Sequence, residues 1–240
     1  MAHLSLKLPG SGPEQIRSGG AGWRGPDGTG RRIEDWLSTH FARAVRRRLA
    51  KGAHLFLEGA ETEYLYFFLR GWAMKYKSLL DGRRQILDFV LPGEPLGFVA
   101  PQPAPYAVEM LDEAEIVAVS RHAFDELFAA DPGFAREMCR QLEAAGARAH
   151  DRMTSIGCRS ARVRVCRLLL ELAARASPDG ELAAQATVPM PLSQRHIADA
   201  TALRVETVCR ALVQLHDDGV AALRRGYLRV ADAQALHEAC

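Results

Sequence analysis

The sequence predicts an α+β chain built from an antiparallel β region, one long helix, and a C-terminal pair of short helices closed by a hairpin. Three observations carry that prediction. From Lys51 onward, Gly52, Gly59, Gly71, Gly82, Gly93 and Gly97 punctuate short aromatic and aliphatic runs, the pattern of strands and turns. Met138, Leu142, Ala145, Ala149, Arg152 and Ile156 then alternate spacings of four and three, the pattern of a helical seam. Two further helix-length patterns flank a break at Thr201–Arg204. With 240 residues, 48% of them hydrophobic, the chain can hold two unequal cores. The expected division is an arm at 1–30, a β domain with flanking helices at 31–130, a long helix at 131–157 and a C-terminal domain at 158–240.

The first thirty residues contain Pro9-Gly10-Ser11-Gly12-Pro13 and Gly19-Gly20-Ala21-Gly22 with almost no periodic apolar content, which predicts a disordered arm. Ile33 to Leu49 can form a helix with Ile33, Trp36, Leu37, Phe41, Ala44 and Val45 roughly on one side. It would end in Arg46-Arg47-Arg48, cations suited to a helix C-terminus. Strands are expected at Leu55–Leu57, Tyr64–Arg70, Ala73–Ser78, Arg84–Leu91, Tyr106–Met110 and Glu115–Val119, with Asp81-Gly82 and Pro92-Gly93 as turns.

Ser120 can cap a helix running through Phe124, Leu127 and Phe128, and Asp131-Pro132 supplies a cap and a first-turn proline to the long helix. Its seam of Met138, Leu142, Ala145, Ala149 and Ile156, interrupted by Arg152, fits either packing on the β domain or pairing with a second copy. Cys158–Ser160 reads as a hinge. Ser160 then caps a helix that turns Val163, Cys166, Leu169, Leu170 and Ala173 inward, and Ser177-Pro178-Asp179-Gly180 ends it. Thr187–Met190 is a short strand.

Pro191–Gly219 has the pattern of a helix-turn-helix. Ser193 can cap the first helix, whose apolar face is Ile197 and Ala198. In the second, Val205, Val208, Leu212 and Leu215 recur at helical spacing, which leaves Glu206, Cys209, Arg210 and Val213 outward. An outward carboxylate can accept from cytosine N4, and a guanidinium four residues on can donate twice to guanine. The alternative is an ordinary ion pair on a solvated helix, stabilising it by about 0.2–0.5 kcal/mol. Val220–Leu223 and Tyr227–Val230 read as a hairpin around Arg224-Arg225-Gly226, which makes the unit a winged helix. Pairing of the long helix with a second copy is then preferred, because a two-helix reader of DNA uses two half-sites.

Charge is uneven: nine Lys/Arg against four Asp/Glu in residues 1–50, eleven against sixteen in 51–156, and eleven against nine in 157–240. An acidic middle repels DNA, so contact is expected at the ends of the chain. Cys139, Cys158, Cys166, Cys209 and Cys240 show no paired spacing of the zinc or disulfide kind, and most are expected to be reduced core thiols. Met1–Pro9 lacks the apolar centre of a secretory signal, and no membrane span stands out, so a cytoplasmic location is expected. Gly-rich phosphate loops, paired-His metal motifs and Gly-x-Ser-x-Gly turns are all missing, which speaks against an enzyme.

Glu206-Thr207-Val208-Cys209-Arg210 followed by the wing resembles the recognition helix of the Crp/Fnr family of bacterial transcription regulators, of form E-T-[VI]-x-R. Phe56-x-Glu58-Gly59, Tyr66, Gly71, Asp81–Leu87 and Pro92-Gly93-Glu94-x-x-Gly97-Phe98 are similar to that family's β-roll, a cyclic-nucleotide-binding-like domain. The resemblance implies a homodimer that binds a palindromic promoter and works with RNA polymerase. Glu206, Cys209 and Arg210 would read bases, while Ser193, Arg195, Arg204, Arg224 and Arg225 would meet phosphates. Val205 stands where cyclic-AMP-dependent members carry another Arg, which sides with the Fnr/FixK branch and half-sites resembling TTGAT. That branch implies a response to oxygen, redox or nitrogen-oxide status.

Several positions depart from the family pattern. Val99–Ala107 lacks the Arg-Ser pair that neutralises a cyclic phosphate, so cyclic AMP is not expected, although Glu94 stands where a ribose hydroxyl could be met. No cysteine precedes Cys139, which excludes a four-cysteine iron-sulfur cluster. Haem stays open, with His40, His54, His122 and His150 as ligand choices. Arg204 and Ala202 replace the usual capping Ser/Thr and turn glycine. Cys209, beside Arg210 and near a helix N-terminus, is either a redox switch or a small residue tolerated at a contact position. A C-terminal unit that docks protein rather than DNA is the competing function.

Overall fold

A computed structural model describes residues 33–41, 44–97, 102–177, 182, 185–231 and 233–238. The arm at 1–30, residues 98–101 and residues 178–180 of the expected turn therefore lie outside the described residues, as does Cys240.

Helix α1 (Ile33–His40) leads into β1 (Val45–Leu49), β2 (His54–Phe56), β3 (Tyr64–Arg70), β4 (Ala73–Ser78), β5 (Arg84–Val90), β6 (Pro95–Leu96), β7 (Ala107–Met110) and β8 (Ala114–Ser120). These form two four-stranded antiparallel sheets, ordered β1-β8-β3-β6 and β2-β7-β4-β5. Phe68, Val108, Met110 and Ile116 fill the space between them, the alternate faces of strands whose other side meets helices or solvent. Gly71 joins β3 to β4 at φ +80, and a Cβ there would lie 2.4 Å from the Glu113 carbonyl oxygen, so only glycine fits the crossing.

One expectation fails here. The helix drawn from Ile33 to Leu49 stops at His40, and Val45–Leu49 is a strand in register with Ala114–Ala118 of β8. The arginine run is thus an edge strand, with Arg46 paired to Glu115 at 3.2 Å, because a long-range ladder overrides local helix preference. Trp36, Leu37 and Phe41 still face inward, against Phe67 and Phe134.

Helices α2 (Arg121–Ala130) and α3 (Pro132–Cys158) follow, capped by Ser120 and Asp131 as expected; the Asp131 carboxylate accepts from the amides of Gly133 and Phe134. Helix α4 (Ala161–Ala176) is capped by Ser160. Then come β9 (Thr187–Pro189), α5 (Gln194–Thr201), α6 (Val205–Asp217), the hairpin β10 (Ala221–Arg224) and β11 (Tyr227–Val230), and α7 (Ala233–Glu238). The last three strands make one sheet in the order β10-β11-β9. The largest buried cluster spans both halves of the chain. Trp72, Phe89 and Leu111 of the roll share it with Leu169, Ile197 and Leu228 of the C-terminal unit. Gln85 of β5 also donates to the Asp199 carbonyl of α5 at 2.8 Å.

Candidate nucleic-acid interface

The C-terminal unit is founded on α4, whose Val165, Leu169 and Leu172 are fully buried. Helix α5 opens with a reciprocal cap: the Ser193 hydroxyl accepts from the His196 amide at 3.1 Å, and the Ser193 amide donates to His196 Nδ1 at 3.2 Å. Burial lowers the His196 pKa, against the attraction of Glu109 and Asp199, which favours the neutral ring whose Nδ1 can accept. Ala202 ends α5 in the left-handed conformation at φ 52, ψ 44, where an L-residue is strained and glycine is not. Arg204 precedes α6 with no side-chain cap, as the departures from the family pattern led us to expect.

Helix α6 buries Val208, Ala211 and Leu215 and half-buries Val205 and Leu212, so its opposite face is set by helical periodicity. Glu206, Arg210, Val213 and Gln214 are exposed there, with Cys209 half-buried beside them. Among the described residues neither Glu206 nor Arg210 makes a hydrogen bond or ion pair, so the ordinary i,i+4 salt bridge is not formed. Both polar heads point away from the protein, unspent.

The other cations flank this face. Arg195 is exposed and stands 3.5 Å from Asp199, while Arg204 is exposed at the start of α6. Arg224 and Tyr227 face each other across a two-residue turn, Arg225-Gly226, both at positive φ, the twist that suits a tight hairpin. Arg225 thus caps the wing tip, and Arg224 reaches His216 Nε2 at 3.0 Å.

The seam of α3 differs from its sequence reading. Met138 packs into the roll with Trp36, Phe124 and Phe134, and Arg152 is held by the Leu87 carbonyl at 2.6 Å and Glu171 at 3.0 Å. Ala145 and Ile156 are half-buried. Leu142 and Ala149 of the expected seam are exposed, and with Cys139, Met153 and the half-buried Gly146 they form a stripe that alternates three and four. Leu142 is 66% exposed and Met153 63%. The first half of α3 therefore packs on the roll, one of the two sequence alternatives, and leaves a second face open. The thiols also depart from expectation: among the described residues only Cys166 is in the core, while Cys139 and Cys158 are exposed and Cys209 is half-buried.

Glu94 is not available to a ribose. Its two oxygens accept from Arg175 of α4 at 3.0 and 2.8 Å, and one also takes the Leu91 amide at 3.0 Å. Around this pair, Arg175 reaches Asp88 at 3.4 Å and Glu171 at 2.8 Å, while Lys75, Arg148 and Arg152 approach Asp88 at 3.9, 3.3 and 3.6 Å. Burial would raise the Asp88 carboxyl, but Arg175, Lys75, Arg152 and Arg148 hold it far below the usual carboxylate range. Burial also opposes charge on Arg175, and Glu94 and Asp88 overcome it. This network ties β4 and β5 to α3 and α4. The sequence reading missed it, although the charged interruption of the seam at Arg152 and the Glu171–Arg175 spacing were its visible signs. His40, His54, His122 and His150 lie on α1, β2, α2 and α3 respectively. Among the described residues no group of three or more His, Cys, Asp or Glu side chains could hold a metal ion, and no helix is long and apolar enough to cross a membrane.

Comparison with known proteins points the same way. Residues 46–131 match the family model of the cyclic nucleotide-binding domain and residues 163–239 that of the Crp-like helix-turn-helix domain. The nitrogen fixation regulation protein FixK of Bradyrhizobium diazoefficiens is 30% identical over 198 residues, 80% of each chain. The transcriptional regulator LdrP of Thermus thermophilus is 31% identical over 76% of this chain and 91% of its own. The solved structure of FixK2 from Bradyrhizobium japonicum superposes with a TM-score of 0.72 at 31% identity, covering 81% of this chain and 96% of that one.

Proposed function

Because the chain belongs to the Crp/Fnr family of transcription regulators, DNA-binding proteins rather than enzymes, we propose that it acts in the cytoplasm as a homodimer on a palindromic promoter site, with RNA polymerase as a further partner. The observation that carries this reading is the exposed, unpaired Glu206–Arg210 pair on α6. Two copies joined along the exposed stripe of α3 would present two such helices to successive major grooves about 34 Å apart. Glu206, Cys209 and Arg210 face the bases in this arrangement. Ser193, Arg195, Arg204, Arg224 and Arg225 meet phosphates and fix the register. Residues 31–130 then serve as sensor, 131–157 as dimer helix and 158–240 as the DNA-binding domain.

The test is footprinting on a palindrome of TTGAT half-sites. Glu206→Ala and Arg210→Ala should each weaken specific binding by about 1–3 kcal/mol and relax preference at one base pair. A double variant that protects the same promoters as the parent refutes the reading. Affinity should also fall steeply with salt through counterion release, which docking to a protein would not require.

The signal we propose is oxygen, redox or nitrogen-oxide status, in keeping with the Fnr- and FixK-named relatives. Cyclic AMP does not suit this roll: Glu94 is committed to Arg175, and Val99–Ala107 offers no cation to a phosphate. A calorimetric titration should show no micromolar binding. Cys209 lies beside the proposed base-reading pair, and a redox role for it predicts that peroxide weakens the gel shift of the parent more than that of Cys209→Ser. Equal inhibition of both removes the switch.

A further inference from the structure

A cavity of about 70 Å³ lies where the second half of α3 meets α4 and the end of α5. Helix α3 lines it with Arg148 and Arg152, one turn apart, and α4 lines it with Arg164 and Arg167, three residues apart. Against these four guanidiniums the lining sets two carboxylates, Asp151 and Glu171, and beyond it Asp88 meets Arg148 at 3.3 Å and Arg152 at 3.6 Å. Glu171 is already engaged by Arg152 at 3.0 Å and by Arg175 at 2.8 Å. Arg164 is spent on the Arg159 carbonyl at 2.9 Å and the Thr201 carbonyl at 3.4 Å.

Two of the four arginines still have donors to give. Arg167, half-buried, makes no hydrogen bond or ion pair among the described residues. Arg148 Nε is buried without a hydrogen-bond partner, and Glu171 Oε1 at 4.0 Å is beyond hydrogen-bond reach. A buried donor left unpaired is unfavourable, and so is an excess of like charge around a small space.

We propose that this crevice is a binding site for a small oxyanion, a phosphate or carboxylate group that accepts from Arg148 and Arg167. Guanidinium forks present paired N–H donors that match either group. A void of about 70 Å³ is several times the ~10–15 Å³ that holds one water, so the crevice has room for a compact anionic head. Its occupant would bridge α3 and α4 next to the ion network that joins the roll to the DNA-binding unit. The proposal does not depend on DNA binding.

The experiment is thermal unfolding of the full chain at constant ionic strength, with inorganic phosphate and acetate titrated separately against chloride. A saturable rise in Tm is expected in the parent for at least one anion, following mass action. It should vanish in Arg167→Ala, weaken in Arg167→Lys, which keeps the charge but not the fork, and persist in Arg136→Ala, an exposed position on the first half of α3 outside the crevice. A rise with phosphate alone assigns a phosphoryl ligand, and one with acetate alone a carboxylate. General salting-out by phosphate would raise all four proteins alike. An equal rise in parent and Arg167→Ala, or no rise with either anion, overturns the site.

Discussion

Replacing Arg175 by methionine should be the most destabilising single change at the junction between roll and DNA-binding unit. Arg175 donates to both Glu94 oxygens, to Asp88, to Glu171 and to the Phe89 carbonyl at 2.7 Å. Asp88 would keep Lys75, Arg148 and Arg152 as counter-charges. Glu94, only 7% exposed, would keep the Leu91 amide but, among the described residues, no ion pair. Leaving one member of a buried pair uncompensated costs about 3–5 kcal/mol. For a chain of this size each kcal/mol lowers Tm by roughly 2–4 °C, so a fall on the order of 6–20 °C is expected. Urea unfolding of the parent, Arg175→Met, Glu94→Gln and the double variant measures the coupling. The double variant should recover part of the loss, because glutamine leaves no buried charge. A single variant within about 1 kcal/mol of the parent, or strictly additive effects, refutes the reasoning.

Ala202→Gly should stabilise the protein by about 1 kcal/mol, because the residue is exposed and only its left-handed backbone is at stake; a lower Tm would contradict this. His196 has a folded pKa below its unfolded value of about 6.5, so the folded chain binds fewer protons in that window and stability falls as pH drops below about 6.5. Melting curves between pH 7.5 and 5.5, values bracketing that ~6.5 midpoint, should therefore be flatter for His196→Gln than for the parent, and parallel curves would exclude a role for the cap. Leu142→Arg with Met153→Arg places charge on the exposed stripe of α3 and should leave a monomer by sedimentation, whereas an intact dimer would move the interface elsewhere.

Strands and caps were legible because their causes are local. Ser120, Asp131, Ser160 and Ser193 cap the helices they precede, and Ala73–Ser78 is a strand at the bounds its alternation suggests. The exposed Glu206–Arg210 face follows from helical periodicity alone. What was not legible depends on partners far away in the chain. Val45–Leu49 becomes a strand because β8 offers it an edge, and nothing in Val-Arg-Arg-Arg-Leu announces that. Met138 and Arg152 leave the seam because the roll claims one and the ion network the other, choices a heptad count does not contain. Glu94 looked free for a ligand because its partner Arg175 lies 81 residues later.

The apolar cluster that runs from Trp72 and Phe89 through Leu169 to Leu228 makes the two halves one cooperative unit. A cut in the segment after α3 would leave each fragment with a bare greasy flank and a tendency to clump. Transplanting a foreign roll onto this C-terminal unit would need a matching contour, not merely a linker of the right length. The roll and the winged helix should thus share a single melting event, since a disturbance in one half is felt in the packing of the other.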